Sequence, residues 1–157
     1  MRNIALYGGA FDPPHIGHLQ LISSLSKVPG IDEVWLLPSG DRTDKKLLLP
    51  MQKRFHLIKE LFKDNPKVTV SEEEINMSRD IGGMVETYDL LAALGKKYKE
   101  GRFHFVVGGD ILHSLHTWGH WEKLRDEHSF IVFGRKGYDL LKEKMPPQSQ
   151  LIETDLP

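Results

Sequence analysis

Cysteine is absent from this chain of 157 residues, which removes a disulfide framework, a thiol nucleophile and a thiolate zinc site together. A charge excess is missing too. Lys and Arg number 21 against 22 Asp and Glu, for a formal net charge of -1, so no nucleic-acid or membrane-surface binder is indicated. No apolar stretch approaches a membrane span, and the N-terminus enters an apolar run without a basic leader, so no signal peptide is expected. Internal repeats and low-complexity segments are lacking as well. These absences leave a cytoplasmic protein as the expectation. The length and a 39% hydrophobic content predict one domain over residues 1–157 with one well-buried core.

The stretch Ile4 to Leu21 organises the rest. Ile4-Ala5-Leu6-Tyr7 reads as a buried parallel strand. Gly8-Gly9 ends it where the backbone must turn tightly or approach a ligand. Pro13 and Pro14 forbid helix, so the next helix starts only at or after His15. From there Ile16, Leu19, Ile22 and Leu25 recur at helical spacing, and His15 and His18 share one face of the first turn. Orphan amides at a helix N-terminus beside glycine amides form an anion site, and two imidazoles stand at its mouth. Such a cradle suits a polyphosphate whose charge is spread while a bond to phosphorus is exchanged. Either histidine alone reads as a packing residue, and Gly-Gly alone as an ordinary turn.

Down the chain, Glu33 to Pro38 reads as a second buried strand, completing a βαβ unit with a right-handed crossover. The segment Ser39 to Lys46 then starts at a carboxyl edge, where ligands sit in such sheets, and carries Arg42, Lys45 and Lys46; a solvated loop is the competing reading. Pro50 to Phe62 is an amphipathic helix, with Arg54 read as a surface ion-pair residue in preference to one aimed at phosphate. Lys67 to Val70 is a short strand, Glu72-Glu73-Glu74 a solvated edge, and Ser78 to Met84 a flexible connection. A helix follows over Val85 to Leu94, with Thr87 as its cap. Phe103 to Val107 is the strongest strand, and Asp110 after Gly108-Gly109 reads either as an acceptor for ribose hydroxyls or as an N-cap. Trp118 and Trp121 share a helical face, and Phe130 to Phe133 is a fifth strand. The pattern predicts a three-layer α/β fold with a parallel sheet of about five strands and helices on both faces.

Gly8-Gly9-Ala10-Phe11-Asp12-Pro13-Pro14-His15-Ile16-Gly17-His18 resembles the signature of the HxGH nucleotidyltransferases, and in detail that of the bacterial nicotinate mononucleotide adenylyltransferases. The resemblance covers nearly the whole chain and is strongest at the N-terminus. It implies a Rossmann-like α/β/α nucleotidyltransferase domain, ATP and a pyridine mononucleotide as substrates, and Mg²⁺ held mainly by phosphates and water. His15 and His18 are then catalytic, hydrogen-bonding the α- and β-phosphates. Gly8, Gly9, Ala10, Phe11, Gly17, Lys45 and Asp110 join them in binding ATP. Thr87, Trp118 and Arg135 are left to hold the acceptor, with Trp118 stacking on the pyridine ring. Self-association is expected only by analogy with the class.

The chain also departs from that family. Ala10 stands where a hydroxyl residue is common, Val85-Glu86 where Ser-Tyr is usual, and Arg42-Thr43-Asp44-Lys45 where Pro-Pro-His-Lys is frequent. A Ser-Ser-Thr-x-x-Arg stretch expected shortly after Asp155-Leu156-Pro157 is not in the sequence, so the domain is expected to lack that phosphate-binding segment. The expected reaction is in-line attack of a mononucleotide 5′-phosphate on the α-phosphorus of ATP, giving deamido-NAD and pyrophosphate. Two alternatives stand beside it: another acceptor (nicotinamide mononucleotide or phosphopantetheine), or a nucleotide-binding module without turnover.

Overall fold

In the computed structural model, which describes residues 1–40, 47–134 and 142–153, six strands form one sheet. They are β1 (Arg2–Gly9), β2 (Glu33–Pro38), β3 (Val68–Val70), β4 (Gly101–Gly108), β5 (Ser129–Gly134) and β6 (Ser149–Glu153). The order is β3-β2-β1-β4-β5-β6, and every pairing is parallel. Crossovers run outward from β1 in both directions, so the strand order reverses between β1 and β4. In open α/β sheets a ligand crevice forms outside the carboxyl ends of the strands at that switch.

Both faces of the sheet are apolar, as a buried parallel sheet requires. Helices α1 (Ile16–Ser26) and α2 (Met51–Phe62) cover one face, where Leu21, Ile22, Leu25 and Ile58 pack with Ala5, Val34, Leu36 and Val106. On the other face lie α4 (Thr87–Lys97) and α5 (Trp121–Glu127), whose Leu90, Leu91, Leu94 and Leu124 meet Ile4, Leu6, Phe103 and Phe105. Ile4, Ala5 and Leu6 of β1 thus serve both cores and are all buried.

Several local expectations are corrected. Glu73–Ile81 is a helix, α3, not a solvated edge running into a flexible connection. Its first-turn acids suit the positive helix end, and Ile75 and Ser78, one turn apart, are buried. Gly82 closes it in the left-handed conformation at φ 71°, where glycine carries no Cβ penalty. Glu86 is the N-cap residue of α4, which places Thr87 inside the helix. On α1 the buried seam is Leu21, Ile22 and Leu25, whereas Ile16 is 71% exposed. Trp118 and Trp121 do not share a helical turn: Trp118 follows a short 3-10 turn in extended backbone, His120 is left-handed at φ 53°, and Trp121 begins α5. Trp118 packs edge-on to Phe105 at 5.9 Å and Trp121 against Phe130 at 6.1 Å.

Candidate active site

The β1–β4 ladder ends at Leu6–Phe105, although the strands run on to Gly9 and Gly108. On its other side β1 stays paired with β2 as far as Gly9–Pro38. The sheet therefore opens between β1 and β4 at its carboxyl edge. Within this region is a cavity of about 190 Å³, lined in part by the end of β1 and the turns after β1 and β2, with Gly8, Gly9, Ala10, Ser39 and Gly40. Met84, Val85, Leu90 and Phe105 supply apolar wall, and Glu74 and Ser78 of α3 complete it.

His15 is the N-cap of α1, and its Nδ1 accepts the amide of Gly17 at 3.0 Å. In return His18 Nδ1 accepts the amide of His15 at 3.0 Å. A ring nitrogen that accepts an N–H carries no proton, so each neutral imidazole has its hydrogen on Nε2 and is a donor there. The two rings lie stacked, with centroids 3.7 Å apart and planes at 21°. Gly17 is what lets His15 fold over the helix end, because a Cβ there would lie 2.9 Å from the His15 ring. The expected cradle of first-turn amides is thereby corrected: the histidines themselves take up the His15 and Gly17 amides, and Nε2–H groups stand in as donors.

Phe11 is buried at φ 49°, and its ring meets His18 at 4.8 Å and Tyr7 at 5.6 Å. Its side chain is thus a floor beneath His18. The Asp12 carboxylate accepts the amides of Leu48 and, at 2.8 Å, Leu49, which ties the turn after β1 to the entry of α2. Asp110 is exposed at the end of β4, its carboxylate lying where a Cβ on Gly108 would fall. It is not an N-cap: Gly108 holds that position in the 3-10 turn Gly109–Ile111. Gly8, Gly9 and Ala10 line the cavity, while Thr87 and Trp118 lie outside its lining, next to Glu86 and Phe105 respectively. Glu86 projects over Gly119, beside Trp118, with its Oε2 4.0 Å from His120 Nε2. Lys45 and Arg135, with the rest of 41–46 and 135–141, lie outside the described residues.

Arg54 is corrected most sharply. It is fully buried, not paired at the surface, and its guanidinium reaches the carbonyls of Ala10, Ser39, Gly40 and Leu49. The sequence held a signal for this, since Arg54 falls between Met51 and Ile58 on the apolar face of α2. Glu74 and Ser78 were missed because the helix that carries them was missed. Among the described residues no group of three or more His, Asp or Glu side chains converges on a metal position.

This is the architecture of the α/β nucleotidyltransferases, and the cytidylyltransferase-like family matches residues 6–154. A curated relative from Lactiplantibacillus plantarum, described as "probable nicotinate-nucleotide adenylyltransferase", is 32% identical over 139 residues, covering 87% of this chain and 64% of the relative. One of the same description from Bacillus mycoides is 32% identical over 154 residues, covering 93% of this chain and 79% of the relative. The solved structure of Plasmodium falciparum nicotinic acid mononucleotide adenylyltransferase complexed with NaAD superimposes with a TM-score of 0.85 at 26% identity, over 99% of this chain and 76% of that one. The chain belongs to the nicotinate-nucleotide adenylyltransferase family.

Proposed function

We propose that this chain transfers the adenylyl group of MgATP to nicotinate mononucleotide, forming deamido-NAD and releasing pyrophosphate. The observation that carries the reading is the reciprocal cap of His15 and His18, which makes two adjacent Nε2–H donors beside a glycine turn at the sheet opening. The names of the relatives support the choice of acceptor.

In this reaction an oxygen of the acceptor's 5′-phosphate bonds to the α-phosphorus of ATP, and the bond from that phosphorus to the bridging oxygen of the β-phosphate breaks. The electron pair leaves on pyrophosphate. No covalent enzyme intermediate is needed, because phosphoryl-type transfer is accelerated mainly by positioning and charge stabilisation. His15 and His18 donate to the α- and β-phosphates, and the turn Gly8 to Phe11 lines the phosphate path. Asp110 accepts from the nucleotide ribose, and Trp118 with Thr87 borders the pyridine end. The donors of the site are imidazole and amide N–H groups, and the nearby Asp12 carboxylate is engaged by two amides. That set fits Mg²⁺ that arrives on the nucleotide phosphates and keeps much of its water.

One observation favours a second acceptor. The Glu86 carboxylate beside Trp118 disfavours an anionic nicotinate and tolerates the neutral carboxamide of nicotinamide mononucleotide. Pyrophosphate release from MgATP, with nicotinate mononucleotide, nicotinamide mononucleotide and phosphopantetheine offered separately, tests both. Turnover with a pyridine nucleotide is expected. ATP binding without turnover on any of the three overturns the enzymatic reading in favour of a binding module.

A further inference from the structure

Arg54 carries an obligatory charge at 0% exposure, in the first turn of α2, where a buried cation is costly unless its donors are satisfied. Its Nη1 donates to the carbonyls of Ala10 at 2.9 Å and Ser39 at 2.8 Å, its Nη2 to Gly40 at 3.3 Å, and its Nε to Leu49 at 3.1 Å. Three of those four residues, Ala10, Ser39 and Gly40, line the cavity at the sheet opening. They belong to the turns that follow two neighbouring strands, β1 and β2. A side chain of α2 thus holds two turns of the site from behind.

The consequence lies in the peptide plane. In a trans peptide the N–H points opposite to the C=O of the preceding residue. The cis bond among the described residues is Asp12–Pro13, so the Ala10–Phe11 and Ser39–Gly40 peptides are trans. With both carbonyls turned onto the guanidinium, the amides of Phe11 and Gly40 point away from it. The same contacts brace Phe11 at φ 49°, a left-handed conformation that strains a non-glycine residue and persists only where its surroundings over-determine it.

We infer that Arg54 is a positioning residue for the nucleotide phosphates: by taking the carbonyls of Ala10 and Ser39, it aims the Phe11 and Gly40 amides at the polyphosphate. This rests on the nucleotidyl-transfer reading of the same site. Arg54 touches no reacting atom. Its charge also lies in a medium where it is weakly screened, which adds to the attraction for an anion at the turn.

The test is Arg54→Lys and Arg54→Met, each first shown folded by circular dichroism at the assay temperature. Lys keeps the charge and loses the planar fork; Met loses both. MgATP affinity is measured by calorimetry without acceptor, then kcat and KM for MgATP and acceptor are measured separately. A misplaced phosphate cradle is expected to lower kcat/KM for MgATP by about 10²-fold in Arg54→Met, with an intermediate loss in Arg54→Lys. The KM for the acceptor changes little. Methylguanidine added to Arg54→Ala is expected to restore part of the MgATP affinity. A folded Arg54→Met with wild-type MgATP affinity and kinetics overturns the inference, even where its melting temperature has dropped. Should Arg54→Met not fold, Arg54→Lys decides on the same terms. Should the wild type bind MgATP and turn over no acceptor, the reaction reading fails, and weaker MgATP binding by folded Arg54→Lys still sustains the role of Arg54.

Discussion

His15 and His18 cap the same helix end for each other: one imidazole accepts the amide of Gly17, the other the amide of His15, and the rings stack at 3.7 Å. One nitrogen of each ring serves the backbone and the opposite nitrogen is turned into a donor. The cap contacts and the proposed phosphate contacts of this pair fall on different atoms, so a substitution can separate them.

That separation predicts the behaviour of His18→Asn. The Asn Oδ1 approximates Nδ1 and retains the cap to the His15 amide, while the distal donor is gone. Adenylyl transfer is expected to fall about 10²- to 10³-fold, as on losing one preorganised donor to developing charge. The melting temperature stays near the wild-type value. Unchanged turnover in a pyrophosphate-release assay would remove His18 from the mechanism.

Gly17→Ala tests the stacking. Alanine in a helix is ordinarily better than glycine by about 0.8–1.0 kcal/mol. Here its Cβ would lie 2.9 Å from the His15 ring and displace it. Turnover is expected to fall about tenfold or more through misplaced donors, with little or no loss of stability in a melting experiment. A fully active Gly17→Ala variant would show that the stacked arrangement is not needed.

Two half-buried histidines away from the site predict a pH dependence of stability. His104 is held below the ordinary histidine range by burial and then by Arg102. Burial likewise lowers His128, with Glu127 opposing it. Because the folded-state values lie below the unfolded one, the unfolded chain binds more protons in the interval between them. Stability is therefore full above the unfolded value of about 6.5 and is lost as pH falls through the folded values. Melting temperatures between pH 5 and 8 should decline on the acid side. His104→Gln, which keeps an amide donor toward Asn3 Oδ1 in place of the 3.0 Å contact, should flatten that decline. An unaltered slope in the variant would exclude His104 as a source.

Glu86→Gln bears on the acceptor. The carboxylate is half exposed and beside Trp118, so its repulsion of a nicotinate is screened and modest. Neutralising it should raise the ratio of kcat/KM for nicotinate over nicotinamide mononucleotide about two- to fivefold, less at high salt. No change in the ratio at low salt would place the pyridine ring away from Glu86.

The parts legible in the sequence are those whose cause is local. The apolar run Ile4 to Leu6, the glycine pair, the two prolines and the His-x-Gly-His spacing together dictate strand, turn and helix start within one short stretch. What was hidden depends on contacts between distant segments. Arg54 is an unremarkable polar residue until α2 docks behind two turns whose carbonyls need a donor. The acids at the head of α3 look like solvent-exposed charge until Ile75 and Ser78 find a partner face. Strand β6 is short and earns its structure from pairing with β5, which periodicity does not register. Trp118 and Trp121 have helical spacing but are parted by a left-handed His120, a backbone choice that no pattern of apolar residues announces.

Strand β1 keeps its full pairing with β2 but loses β4 beyond Leu6. Seen in time, this places a boundary inside a single strand. Amide protons at Ile4 to Leu6, in a stretch paired on both sides and buried, are expected to exchange with solvent only when the whole domain opens. The Gly8 amide, which faces β4 beyond the end of that ladder, is expected to escape in smaller fluctuations. The slowest and some of the fastest amide exchange in the sheet is thus expected to meet within a few residues of a single strand.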